Sequence, residues 1–412
     1  MKTLKTIVFC CIVFTMIYPL QAQVKTGIEV LREKKFEHLS GKRVGLITNP
    51  TGVDRNLKST IDILAEADNF ELIALYGPEH GVRGNYSAGD LVGNDYDTKT
   101  GIPMFSLYGS TRKPTPEMLE DIDILIYDIQ DIGSRSYTYI STMGLAMEAA
   151  AENDIEFMVL DRPNPLGGYK FEGPLVEAGF QSFVSQFPIP YVHGFTVGEL
   201  ATFLNNEGLL ADSVKAKLTV INMKGWERRM AFEDTGLPWV MSSPHIPQYQ
   251  SAYFYPVSGI LGELYTINIG VGYTLPFQVF GAPWIEDPET LAENLNQLKL
   301  PGVQFRPIHY RPYYTELKGE DLGGVQVHIP YILKSDLSIV QFYVMQEIYK
   351  LYPDFNVFKM APERLEMFDK VCGTDKIRKT FEKRFLVEDI LDMWTQESER
   401  FAKKASEYYI YQ

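Results

Sequence analysis

Cysteine is scarce in this chain, which limits how its fold can be stabilised. The 412 residues contain 3 cysteines, and two of them, Cys10 and Cys11, lie within the first 22 residues. If that segment is removed, Cys372 stands alone and no intramolecular disulfide can form. The remaining chain is long enough to bury a sizeable core without covalent links, and its length favours two domains.

Basic residues and histidine are also in short supply. The chain has 39 Lys and Arg against 53 Asp and Glu, a net charge of −14, and it has 6 His. Nucleic-acid binding requires a basic surface, so we exclude nucleic acid as a partner. Because the histidines show no metal-ligand spacing, we predict no metal site and no cofactor.

Three common catalytic motifs are missing. The apolar segment 43–48 runs into Thr-Asn-Pro-Thr-Gly-Val where a dinucleotide-binding protein has a glycine-rich phosphate loop. The chain also contains neither G-x-S-x-G nor H-E-x-x-H. These absences argue against a dinucleotide-binding domain, a serine hydrolase with a nucleophile elbow and a zinc protease.

The first 22 residues are typical of a signal peptide. Lys2 and Lys5 precede an apolar stretch at residues 7–17, and a small residue, Ala22, precedes the expected cleavage site. An apolar stretch this short spans a bilayer poorly. We therefore predict a secreted, periplasmic protein without stable membrane insertion after cleavage.

Strand and helix patterns alternate between residues 42 and 165. Near-continuous apolar strands separated by helices indicate a parallel sheet covered on both faces. The predicted strands are 43–48, 70–75, 103–107, 122–127 and 155–160. We predict an α/β fold in which a Rossmann-like, doubly wound, mainly parallel sheet occupies residues 23–195.

The pattern changes after this region, and we assign residues 196–412 to a smaller α+β domain. Its Pro- and Ser-rich segment 242–255 is predicted to be a loop, and the part at 242–247 is expected to reach the first domain. A helix is predicted to begin at Thr115, earlier in the chain. The active site is expected in the cleft between the two domains.

Polar side chains follow four of the predicted strands. Asn49, Glu79, Asp128 and Asp161 each come directly after or near the end of an apolar segment. Because parallel strands end at one edge of a sheet, we expect these residues to converge on one crevice. Two alternatives stay open: Asn49 can form a turn before Pro50, and Asp161 can cap a helix or pair with an arginine.

The segment Gly-Pro-Glu-His-Gly-Val-Arg-Gly at residues 77–84 carries the strongest chemical signal. Glu79 and His80 can act as acid and base, and Arg83 can bind an anion. Two further loops are rich in polar side chains, and their candidate binding residues are Gln130, Asp131, Ser134, Arg135, Tyr137, Arg162 and Asn164. Alternatively, Arg135 and Arg162 could serve only to neutralise neighbouring aspartates.

Taken together, these segments resemble the NamZ-type exo-β-N-acetylmuramidases. The resemblance is carried, in order along nearly the whole mature chain, by residues 45–52, 77–84, 127–139, 161–167, 277–284 and 368–376. It implies removal of terminal N-acetylmuramic acid from peptidoglycan-derived saccharides or muropeptides. It also implies that Glu79 is the catalytic carboxyl.

The chemistry of glycoside cleavage suggests roles for the remaining candidates. A carboxylic acid protonates the leaving oxygen, and Asp128 or Asp131 could be the second carboxyl, unless the acetamido group of the sugar supplies the nucleophile. His80 could orient Glu79. The lactyl carboxylate calls for an arginine, with residues 83, 135 and 162 as candidates. His245 and Glu263 complete the predicted substrate-binding set.

One position departs from the family pattern. Many members carry an arginine before the T-x-P-F turn, where this chain has Val271. The difference points to a changed substrate preference.

Two other classes of function remain open. Two domains around a cleft also describe a non-catalytic periplasmic protein that binds sugars or muropeptides. Another cell-wall hydrolase, such as an exo-N-acetylglucosaminidase, is the second alternative. A binding protein needs no acid group, so the Glu79–His80 segment favours the enzyme.

Overall fold

The computed structural model describes residues 24–84, 95–315 and 317–412. The predicted signal peptide, residues 1–22, lies outside the described residues. Within the three described ranges, no helix is long and apolar enough to cross a membrane.

The described residues form ten strands and eleven α-helices. The strands are β1 (Arg43–Thr48), β2 (Glu71–Gly77), β3 (Asp95–Tyr96), β4 (Pro103–Ser106), β5 (Ile124–Asp128), β6 (Glu156–Leu160), β7 (Lys217–Ile221), β8 (Val279–Ala282), β9 (Gln304–Tyr310) and β10 (Leu322–His328). The helices are α1 (Gly27–Glu33), α2 (Thr60–Ala65), α3 (Tyr139–Glu152), α4 (Val197–Asn206), α5 (Tyr249–Gly262), α6 (Pro288–Gln297), α7 (Val340–Leu351), α8 (Val357–Met360), α9 (Leu365–Cys372), α10 (Lys376–Phe381) and α11 (Leu391–Ala405).

The first sheet confirms the predicted α/β class. Its strand order is β3-β4-β2-β1-β5-β6-β7, and every pair is parallel except β3 with β4. Without β3, this is the order of a doubly wound sheet, and the direction of winding reverses between β1 and β5. The crevice of such a sheet lies outside the carboxyl ends of its strands, where the predicted site residues follow.

The second, smaller sheet is antiparallel, in the order β8-β10-β9, and lies among the C-terminal helices. Strand β7 is reached only after residue 195, yet it pairs with β6 in the first sheet. The chain therefore stays with the first sheet beyond the boundary expected from the sequence. β7 is a partly exposed edge strand, so its pattern does not resemble the buried strands before it.

The end of the chain returns to the first domain. The Ile410 amide donates to Glu199 Oε1 at 2.9 Å, and the Arg228 amide donates to the Gln412 carbonyl at 2.8 Å. The Tyr411 hydroxyl donates to Asp161. These bonds attach the C-terminal tail to the end of β6 and to helix α4.

Two local predictions were wrong. The helix expected from Thr115 is only a 3₁₀ turn at Glu117–Leu119. The expected loop at 242–255 becomes helix α5 from Tyr249 onward, although Pro256 lies inside it. Helix α5 is apolar on nearly all sides and packs in the second core, so tertiary burial outweighs its poor helix composition.

Candidate active site

The Glu79 loop is a tight turn at the carboxyl end of β2. A Cβ on Gly77 would lie 3.1 Å from the Gly81 Cα, so the chain folds back closely over the strand end. His80 adopts a left-handed backbone conformation with φ of 75°, and its side chain is buried. Glu79 is half-buried and faces the neighbouring strand β4.

Tyrosine side chains surround Glu79. The Tyr108 hydroxyl, just beyond β4, bonds to Glu79, and burial together with the Glu79 charge raises the pKa of Tyr108 to about 12. Burial also raises the pKa of Tyr139 and Tyr255, and the charge of Glu79 adds to both shifts, although Glu263 adds more to that of Tyr255. All three phenols stay protonated near neutral pH, and those of Tyr108 and Tyr255 can donate hydrogen bonds to Glu79 or to a bound sugar.

The second domain closes over this cluster. The Tyr137 hydroxyl donates to Ser242 Oγ at 2.7 Å, and the Tyr139 hydroxyl donates to the Ser242 carbonyl at 2.7 Å. Ser136 Oγ lies 3.1 Å from the Tyr255 hydroxyl. These bonds confirm the expectation that the segment beginning at residue 242 reaches the first domain.

His245 belongs to the same site. Its Nε2 lies 3.2 Å from the Tyr314 hydroxyl, and the two rings stack at 6.0 Å. Burial lowers the pKa of His245, His80 lowers it further, and Glu79 opposes the shift. Residues from both domains therefore meet around Glu79.

A cavity of about 220 Å³ in the second domain adjoins the cluster. Tyr255 belongs to both the cavity and the Glu79 site, because it lines the cavity and the charge of Glu79 contributes to its raised pKa. Glu263, Val271 and Phe277 are among the other lining residues. Burial raises the pKa of Glu263, while Arg364, at 3.0 Å, opposes the shift.

The structure places Asp128 differently from the sequence interpretation. Its side chain is fully buried, and its oxygens accept from Arg162 Nε at 2.6 Å and Nη2 at 3.0 Å. Thr60 Oγ1 also donates to it, at 2.5 Å. Asp128 is therefore the partner of Arg162 at the winding reversal, where the two buried side chains pair with each other.

Asp131 is buried within its own loop. Its Oδ2 accepts from the Gly133 amide at 2.7 Å and lies 3.1 Å from His193 Nε2, while Oδ1 has no hydrogen-bond partner among the described residues. Gln130 Nε2 donates to the Asp131 and Pro163 carbonyls. These contacts hold the loop in shape.

The other polar residues of the two loops are also buried. Asn164 bonds to the Phe195 carbonyl and the Leu166 amide, and Ser134 Oγ is enclosed without a partner in the described part of the chain. Asp161 accepts from Gly198 at the start of α4, and burial raises its pKa to about 7. Asp161 thus caps a helix, one of the two alternatives considered for it.

Asn49 lies between this buried region and the Glu79 cluster, which consists of Glu79, Tyr108, Tyr139, Tyr255 and His245. Its Oδ1 accepts from the Thr51 amide at 2.9 Å and from Thr51 Oγ1 at 2.5 Å, as in a turn. Its amide group lies close to Tyr139. Asn49 therefore supports the wall of the site from the carboxyl end of β1.

The three arginines expected to bind a carboxylate are already engaged. Arg135 is buried and donates to backbone carbonyls of both domains, and Arg162 pairs with Asp128. Arg83 pairs with Asp97 at 2.7 and 2.9 Å and with Asp62 at 3.1 Å. These contacts hold the three guanidinium groups within the protein, which disfavours them as ligands of the lactyl carboxylate.

The sequence interpretation missed Tyr108, Tyr139 and Tyr255. Tyr108 follows β4 as Glu79 follows β2, so the strand-end rule could have identified it. Tyr255 was assigned to a loop that is in fact helix α5. Within the described ranges, no three His, Cys, Asp or Glu side chains are grouped to hold a metal ion.

Comparisons with known proteins relate the whole described fold to one family. Residues 44–250 match the family model described as exo-beta-N-acetylmuramidase NamZ, N-terminal, and residues 253–411 match the C-terminal model. The chain is 47% identical over 390 residues to the peptidoglycan beta-N-acetylmuramidase NamZ of Bacillus subtilis (strain 168), covering 94% of this chain and 92% of that protein.

Two crystal structures of DUF1343 family proteins from Bacteroides fragilis NCTC 9343 are also similar. One is 60% identical with a TM-score of 0.91, and the other is 31% identical with a TM-score of 0.76. In both cases the match covers 95% of this chain and 99% of the solved chain.

Proposed function

Because this chain belongs to the NamZ exo-β-N-acetylmuramidase family, we propose that it releases terminal N-acetylmuramic acid from peptidoglycan fragments, with Glu79 as the proton donor. The observation that carries the proposal is the position of Glu79. It is half-buried at the carboxyl edge of the sheet, bonded to Tyr108, and close to tyrosine and histidine side chains of both domains.

The proton transfers follow from this position. Glu79 protonates the glycosidic oxygen as the bond from that oxygen to the anomeric carbon breaks, and the resulting carboxylate accepts a proton from the attacking water. The neutral phenol of Tyr255 can donate a hydrogen bond to a sugar oxygen nearby. The cluster thus provides an acid–base group, which a binding protein does not require, beside a hydrogen-bond donor for the sugar.

The second reacting group is proposed to come from the substrate. Asp128 and Asp131 are both buried and bonded to their own surroundings, which disfavours either as a nucleophile. The acetamido oxygen of the sugar can attack the anomeric carbon and form a cyclic oxazolinium, which water then opens. This route retains the anomeric configuration, so NMR of the first product should show the β-anomer; an initial α-anomer would contradict it.

The location and the substrate range belong to the same proposal. We propose a secreted, periplasmic enzyme that acts on saccharide ends, including those of muropeptides, and releases monosaccharide. The segment that begins at residue 242 supports exo action because it joins the two domains across the cleft. Early release of mid-length oligosaccharides from long glycans would contradict exo action.

The decisive experiment compares two chromogenic substrates, an N-acetylmuramide and the matching N-acetylglucosaminide. Glu79→Gln keeps the shape of the side chain and should lower kcat on the muramide by about 10²–10⁴-fold. Glu71→Gln, at the exposed start of the same strand, is the matched control and should change kcat little. A Glu79→Gln variant with near-normal kcat would remove Glu79 from the acid role.

The same assay separates the alternatives. A parent enzyme that prefers the glucosaminide would indicate an exo-N-acetylglucosaminidase. A parent protein that binds both sugars without turnover would indicate a binding protein.

A further inference from the structure

An arginine outside the predicted set stands at the rim of the Glu79 cluster. Arg112 is exposed, and its guanidinium carbon lies 4.3 Å from the centroid of the Phe183 ring. Among the described residues, its guanidinium makes no hydrogen bond and no ion pair. This distinguishes it from Arg83, Arg135 and Arg162, whose guanidinium groups are bonded within the protein.

Two observations place Arg112 beside the site. Its charge lowers the pKa of Tyr108, against the larger effects of burial and Glu79, and Tyr108 bonds directly to Glu79. On its other side, the Phe183 carbonyl accepts from Ser141 Oγ at 2.7 Å, in the first turn of α3. Arg112 therefore lies between the end of β4 and the start of α3, which are both parts of the Glu79 cluster.

The Phe183 ring holds the Arg112 guanidinium in an orientation that suits the binding of an anion. A guanidinium stacked on an aromatic face is held in one plane, so its donors are directed sideways and outward. The adjacent Lys113 differs, because it pairs with Glu152 at 2.6 Å and Glu148 at 3.5 Å. In a chain of net charge −14, an anionic substrate requires a local cation, and Arg112 has no carboxylate partner within the described part of the chain.

We propose that Arg112 binds the lactyl carboxylate of the terminal muramic acid and sets the preference for muramides over uncharged hexosaminides. The inference rests on the proposed function, since it assigns the anionic part of that substrate. The planar fork of the guanidinium can form two parallel hydrogen bonds to a carboxylate. Glu79, on the other side of Tyr108, then faces the glycosidic oxygen of the same sugar.

The test compares Arg112→Ala, Arg112→Lys and the control Lys113→Ala on the muramide and the glucosaminide. Arg112→Ala should lower kcat/KM on the muramide by about 10- to 100-fold, the usual range for a lost hydrogen bond to a charged group. It should leave kcat/KM on the glucosaminide within about twofold. Arg112→Lys should recover part of the loss, because it keeps the charge without the fork, and Lys113→Ala should resemble the parent.

Calorimetric titration with the free sugars makes the same comparison without turnover. Arg112→Ala should weaken the binding of N-acetylmuramic acid. It should not weaken the binding of N-acetylglucosamine, or of the muramic acid derivative whose lactyl carboxylate is replaced by an uncharged amide. Equal losses on both sugars, or an unchanged preference, would overturn the assignment of Arg112. A parent protein that hydrolyses neither glycoside would overturn the proposed function, and the titration would still decide the role of Arg112.

Discussion

Replacing Arg135 by methionine should destabilise the protein strongly, because this side chain joins the two domains from a buried position. Its Nη1 donates to the Pro174 and Ile189 carbonyls at 2.8 and 2.5 Å. Its Nη2 donates to the Val371 and Cys372 carbonyls, both at 2.9 Å, at the end of helix α9 in the second domain. Burial lowers the pKa of Arg135 to about 10, so these carbonyls substitute for a counter-charge.

The expected loss follows from these bonds. A hydrogen bond to a charged group is worth about 1.5–3 kcal/mol, but bonds to one group are not additive. Methionine restores some packing and leaves four buried carbonyls without this donor. We expect a decrease of about 3–5 kcal/mol in the free energy of unfolding.

Urea unfolding followed by circular dichroism measures this loss. The control is Arg311→Met, which removes an exposed arginine paired with the exposed Asp321 and should cost less than about 1 kcal/mol. Arg135→Lys should lose most of the stability as well, because one ammonium group cannot reach carbonyls of both domains. If Arg135→Met costs no more than Arg311→Met, the domain-joining role is refuted.

Three further predictions concern the site and the C-terminal tail. Tyr108→Phe removes the hydroxyl that bonds to Glu79 and should lower kcat about tenfold; unchanged kcat would show that the bond is not used. Tyr411→Phe removes a donor from buried Asp161 and should cost about 1–3 kcal/mol in urea unfolding, and a cost below about 0.5 kcal/mol would contradict this. Burial raises the pKa of Asp161 to about 7 from an ordinary value of 3.8, so the folded state binds more protons between these pH values. The free energy of unfolding should therefore fall as pH rises from about 4 to 7, and Asp161→Asn should reduce that slope.

Much of the first domain could be predicted because its signals are local. The apolar segment 43–48 became β1 with the same bounds, and Gly77 and Pro78 marked the loop that presents Glu79. An apolar run bounded by turn residues needs no distant partner to be recognised. The rule that parallel strands end together then placed Glu79 at the correct edge of the sheet.

Local patterns failed where packing outweighs them. The sequence of helix α5 contains Ser, Pro and several tyrosines, a composition that favours a loop. The helix forms because it is buried on nearly all sides. Strand β7 was separated from its sheet because an edge strand is only partly buried. In both cases the deciding energy comes from neighbours distant in sequence.

The amino-acid sequence by itself determined the α/β class, the order of the strands along the chain and the loop that carries Glu79. Only the tertiary structure decided how the charged residues are used. Arg135 binds carbonyls that lie more than 230 residues away, and Arg162 pairs with Asp128 across the sheet edge. Arg112 remains at the rim of the site. Whether a charged side chain is paired within the protein or left to bind a ligand depends on its neighbours in space. Those neighbours come together only after distant segments have packed.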